Sequence, residues 1–276
     1  MALRRMVDET HAQAERMGAP RAAALCRNFG GALELVQGQW DDAERHLREA
    51  AELYRQLGTA SGEALSLQRL GVLLCSRGRL DEADEVLGRA LVRAEVALMR
   101  SHCLTRVYAS LARLRLAAGD LAGADHFLSQ GQEAAHRHGH CVTCNALLLP
   151  ETVRVALANG RIDDAERAAR ELERIAATAE SRMWTGMAHQ ARARVHAARR
   201  RTGEACAAFE EAAAAFAAAG ARYDAARCRL EQAAQLGESD ADAGAALAEA
   251  AARALAELGA GGGDVATPRP ASTIGS

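Results

Sequence analysis

Five stretches of this chain align without a gap: GQWDDAERHLREA from Gly38, GRLDEADEVLGRA from Gly78, GDLAGADHFLSQG from Gly119, GRIDDAERAAREL from Gly160 and RRTGEACAAFEEA from Arg200. Their starts lie 40, 41, 41 and 40 residues apart. Each carries a small residue five places on (Ala43, Ala83, Ala124, Ala165, Ala205) and an apolar residue nine places on (Leu47, Leu87, Leu128, Ala169, Phe209). One unit, repeated along most of the sequence, constrains the fold to an array in which each copy buries its apolar face against the next.

Seven residues before each start stands another small or compact residue (Gly31, Gly71, Ala112, Val153, Ala193), inside a second amphipathic run. Each unit therefore reads as helix A, a tight turn and helix B, with small residues at facing positions so that the axes approach closely. Asp41, Asp81 and Asp163 stand where an N-cap carboxylate would accept the first amides of helix B. Aromatics are only 3% of the chain, so the core must be built from small aliphatic side chains, which suits packed helices better than sheets.

The unit resembles the tetratricopeptide repeat: Leu70-Gly71, the turn glycine Gly78, then Ala83, Leu87 and Ala90 follow that pattern. The resemblance implies an all-α, right-handed superhelical solenoid of antiparallel helix pairs, and the period of about 40 residues implies helices longer than usual. The repeat domain is expected over residues 1–258, with 259–276 a disordered Gly/Pro/Ser-containing tail. Met1 to Gly18 falls in register with Asp41 to Gly58, so the chain opens on a helix B without its helix A. An uncapped edge of this kind suits an upstream segment, a partner, or a second copy of the chain as a homo-dimer. Residues 217–237 (AAAGARYDAARCRLEQAAQLG) are similar to the closing repeats of the helical sensor region in large LuxR-type actinobacterial transcription regulators. That likeness implies a role in transcription regulation or signalling.

Several chemistries are excluded. There is no lysine, so a phosphate-binding G-x-x-x-x-G-K loop and a Schiff-base lysine cannot exist. The net charge of −2 gives no global attraction to nucleic acid or anionic membrane. No stretch is long and apolar enough to cross a bilayer, and seven scattered cysteines suit reduced thiols, so a cytoplasmic location is expected. G-x-S-x-G, H-E-x-x-H and G-x-G-x-x-G are all absent, and the expected class is non-enzymatic.

In tetratricopeptide arrays helix A lines the concave groove. One place after the small position of helix A stand Arg113, Arg154 and Arg194, an arginine ladder in three consecutive units. Spaced guanidinium groups suit carboxylates or phosphates. Asn28, Gln68 and Gln190, four places earlier, would bond an extended peptide backbone. The ligand so implied is a protein segment or an acidic small effector; arginine as the ordinary solvated residue of this chain is the competing reading.

The inter-repeat loop HRHGHCVTC, residues 136–144, brings His138, His140, Cys141 and Cys144 together in sequence, and His102 and Cys103 occupy the equivalent junction one unit earlier. A C-x-x-C pair whose second cysteine opens a helix can hold zinc, the metal these ligand types suit. It can also act as a thiol sensor, since a helix N-terminus lowers a thiol pKa, or serve only as the joint between helices. No organic cofactor is implied, and C-x-x-C-H, which would attach haem, is missing.

Overall fold

The computed structural model describes residues 2–261 apart from 138, 140 and 239. Among them run thirteen helices: α1 (Ala2–Arg16), α2 (Pro20–Gln37), α3 (Trp40–Gln56), α4 (Ala60–Ser76), α5 (Leu80–Glu95), α6 (Arg100–Ala117), α7 (Leu121–Arg137), α8 (Val142–Ala158), α9 (Ile162–Ala179), α10 (Arg182–Ala198), α11 (Thr202–Ala218), α12 (Arg222–Leu236) and α13 (Ala241–Glu257). The even-numbered helices are the A helices of six pairs, and α1 is the unpaired B helix at the start. Most helices run 15 to 18 residues, the length that a forty-residue unit requires.

The repeated small and apolar positions form the contact between the two helices of each pair. Ala43, Ala83, Ala124, Ala165 and Ala205 are all fully buried, as are Leu47 and Leu87. At Gly71 a Cβ would stand 2.5 Å from the Leu87 side chain, so α4 and α5 meet closer than any larger residue would permit. The A-to-B turns at Gly38, Gly78, Gly119 and Gly160 all take φ between 72° and 79°, and the fifth holds Arg200 at φ 58°.

The expected aspartate caps are placed differently. Helices α3, α5 and α9 begin at Trp40, Leu80 and Ile162, with Gln39, Arg79 and Arg161 at the N-cap and no side-chain cap bond. Backbone bonds close the turn instead, Arg79 N donating to the Leu74 carbonyl at 2.9 Å. Asp41, Asp81 and Asp163 therefore sit inside the first turn, where a carboxylate still offsets the helix dipole. Asp41 pairs with Arg77 and Asp163 with Arg199, each arginine being the C-cap of a neighbouring A helix.

Successive A helices touch one another (α4 with α6, α6 with α8, α8 with α10), while each B helix packs on its flanking A helices. The A helices thus line the inner face. The array also returns on itself: α12 touches α2, the Trp40 and Tyr223 rings lie 5.3 Å apart, and Tyr223, Leu255 and Leu258 join the core that runs through α3 to α6. Leu258 lies against Gly38, where a Cβ would come within 2.5 Å of its Cδ2. The packed chain runs three residues past the expected boundary at 258, for the Gly261 amide donates to the Ser76 carbonyl at 3.1 Å. Residues 262–276, most of the expected tail, lie outside the described residues.

Candidate functional site

Two features of the inner side carry chemistry. The first is the polar seam between A helices. Every predicted groove residue has a partner there. Asn28 Oδ1 accepts from Arg69 at 2.7 Å, Gln68 donates to Ser110 at 2.8 Å, and Arg113 donates to Ser76 Oγ at 3.0 Å. Arg154 pairs with Glu151 at 2.9 Å. Arg194 holds Glu231 bidentately at 2.7 and 2.6 Å, and Gln190 reaches the same carboxylate at 3.0 Å. Most of these bonds join one repeat to the next.

Arg69, Arg106, Arg227, Glu151 and Glu231 belong to this seam and are not legible from the repeat columns alone. Burial raises the Glu231 carboxyl, but Arg194, Arg227 and Arg154 together outweigh it and hold it below the usual carboxylate range. Among the described residues no carboxylate pairs with Arg69. Burial, and then the neighbouring Arg106, bring its guanidinium down to about 10 against the pull of Tyr54, while it donates to Asn28 and stands over the Phe29 ring. Arg106 has its Nε buried without a hydrogen-bond partner. The A helices carry six arginines along this seam (Arg69, Arg106, Arg113, Arg154, Arg194, Arg227); Glu151 reaches Arg154, and Glu231 reaches Arg194 and Arg227.

The second feature joins α6 and α8. His102 lies in the first turn of α6, Cys141 is the N-cap of α8, and Cys144 is the third residue of α8 and fully buried. His102 Nδ1 is 3.0 Å from Cys144 Sγ, and the ligand atoms of His102, Cys141 and Cys144 lie within 4.8 Å of one another. Cys103 does not join them; its thiol points to the Ser61 carbonyl at 3.9 Å, one unit earlier in the array. His138 and His140 lie outside the described residues. Partial burial raises the Cys141 thiol, but hydrogen bonds from Thr143, from Cys144 and from the amides of both outweigh it and hold it below the ordinary thiol value. Burial, reinforced by Cys141, pushes Cys144 up to about 11 against the pull of Arg106.

The fold and its seams define an all-α solenoid of helix pairs. Residues 21–91 match the family model described as tetratricopeptide repeat. Repeats of that family generally bind protein partners and are typically non-catalytic scaffolds. No curated protein matches the chain. Among solved structures it is similar to the one titled "Crystal structure of BtubC (BKLC) from P. vanneervenii", with a TM-score of 0.53 and 17% identity over 89% of this chain and 97% of that one. At that identity the likeness is one of fold. No helix among the described residues is long and apolar enough to cross a membrane.

Proposed function

We propose that this chain is a non-enzymatic interaction module of a bacterial regulatory system, and that its inner face takes an acidic segment of a protein partner. The observation that carries this reading is the juxtaposition of Arg69 and Arg106 on neighbouring A helices, with no carboxylate among the described residues paired to Arg69. Two cations held beside each other and partly out of water are costly, and an incoming carboxylate relieves both at once. Arg113, Arg154 and Arg194 extend the same positive face, while Asn28, Gln68 and Gln190 offer amides to a peptide backbone once their present bonds exchange. The regulatory setting rests on the likeness of residues 217–237 to LuxR-type sensor repeats. All seven cysteines are free thiols, which supports a reducing, cytoplasmic setting.

The test is a display library of peptides graded in Asp and Glu content, selected on the full chain and on an Arg69→Gln, Arg106→Gln double variant. Acidic peptides should be enriched on the unaltered chain, and their affinity should fall at least tenfold in the double variant with its thermal unfolding unchanged. Selection without acidic bias, or affinity that survives the double replacement, would sink the proposal.

A further inference from the structure

We infer that His102, Cys141 and Cys144 form a binding site for a zinc-class divalent ion that bridges the first turn of α6 to the N-terminus of α8. The inference stands apart from the acidic-ligand reading and does not depend on it.

Three observations carry it. The three ligand atoms already share one small region, within 4.8 Å of one another. In a tetrahedral zinc site ligand atoms stand about 3.5 to 3.8 Å apart, as bond lengths of about 2.0 to 2.3 Å require, so side-chain rotation alone suffices to close the set. The residue types also match the ion: two thiolates and one neutral imidazole balance a divalent charge and are soft enough to prefer zinc to magnesium or calcium.

The surroundings bring polar groups to both sulfurs. The Thr143 hydroxyl stands 3.2 Å from Cys141 Sγ at the start of α8, and the Arg106 guanidinium favours the Cys144 thiolate. Such donors stabilise metal-bound thiolates from outside the coordination sphere. Repeat register explains why the site falls at this junction. Cys103 and Cys144 hold equivalent positions and each sulfur faces the start of the preceding A helix, but Cys103 finds the Ser61 carbonyl where Cys144 finds the His102 imidazole.

The set supplies three protein ligands. Cys144 is fully buried and Cys141 partly exposed, so the fourth position lies on the side of Cys141. Binding releases the two thiol protons and ties two neighbouring repeats across the junction that follows α7.

The full chain, reduced and stripped of metal, would be titrated with cobalt(II) and then with zinc. The expected result is one cobalt per chain with a thiolate-to-metal band and tetrahedral visible bands, displaced by zinc, and a rise in unfolding temperature on zinc addition. Cys141→Ser, Cys144→Ser and His102→Ala should each weaken binding at least tenfold, and Cys103→Ala should leave it unchanged. If Cys144→Ser fails to fold, Cys141→Ser at the partly exposed helix cap still decides the matter, with circular dichroism confirming its helices. Absence of the thiolate band, binding that persists in Cys141→Ser and His102→Ala, or a Cys141–Cys144 disulfide that forms with metal present and excludes it, would each overturn the inference.

Discussion

Trp40, at the start of α3, and Tyr223, at the start of α12, meet with their rings 5.3 Å apart and tilted by 60°, so the sixth helix pair is fastened to the first. Both side chains are buried, and Arg77 stands over the Trp40 ring at 6.0 Å. An open solenoid has no such contact, because each unit touches only its neighbours.

Tyr223→Ala should lower stability by about 3–5 kcal/mol, the usual cost of removing a buried aromatic ring. In a Trp184→Phe background the emission of Trp40 should shift to the red as its surroundings become wet. An unshifted spectrum with unchanged denaturation midpoint would show that the closure contributes nothing.

Arg200 holds the left-handed turn that glycine holds in the other aligned units. The conformation costs a side-chain-bearing residue about 1–2 kcal/mol, and the extra freedom of an unfolded glycine returns up to about 1 kcal/mol of any gain. Arg200→Gly should therefore stabilise the chain by about 0.5–1 kcal/mol in denaturant melts. A loss of stability would mean that the arginine side chain contributes more than its backbone costs.

Glu231 is held below its ordinary range by three arginines after burial is overcome. A carboxyl whose folded value is depressed adds stability that is present above its unfolded value of about 4.3 and is lost as pH falls through the folded value. Glu231→Gln removes the carboxylate that Arg194 grips bidentately and should cost about 3 kcal/mol at neutral pH. The gap between variant and parent should close as pH drops below about 4. A gap that stays constant with pH would exclude the ion pair as its source.

Cys141 is the cysteine whose thiol is held below the ordinary value, whereas Cys103 and Cys144 are each pushed up to about 11 by burial first. Alkylation of metal-free protein should therefore begin at Cys141, its rate rising with pH through a midpoint below the free-thiol value of about 8.5. Cys103 and Cys144 should react only on unfolding. Peptide mapping that finds Cys26 or Cys206 modified ahead of Cys141 would contradict this order.

The pairing of helices was legible because its signal is local and repeated. A glycine or alanine recurs opposite a large residue at fixed spacing, as Gly71 opposes Leu87, and steric fit at that contact leaves little choice of fold. The spacing alone puts Arg113, Arg154 and Arg194 in one column of the A helices, and Arg113 and Arg194 each bond a neighbouring A helix. Their partners were not legible, because the bonds run between units from positions off the column: Ser76 lies one helical turn beyond Val72, and Glu231 lies in a sixth pair outside the five aligned starts. Similarly, register placed His102 and Cys103 together at one junction, but helix geometry turns them apart, the imidazole toward Cys144 and the thiol toward Ser61. The return of α12 and α13 onto α2 to α4 had no signature at all. Trp40, Tyr223 and Leu258 share no repeat position, and their meeting follows from the accumulated rotation of all the intervening pairs.

That return, in which Leu258 fills the space that Gly38 leaves open, fixes the arithmetic of the whole chain. Helical arrays ordinarily gain or lose units by duplication and deletion, since any unit can follow any other. Here one pair more or fewer would carry Leu258 and Tyr223 past Gly38 and Trp40 and part the seam. The number of pairs between Gly38 and Leu258 is thus held by the contact itself, a constraint that an open array does not carry.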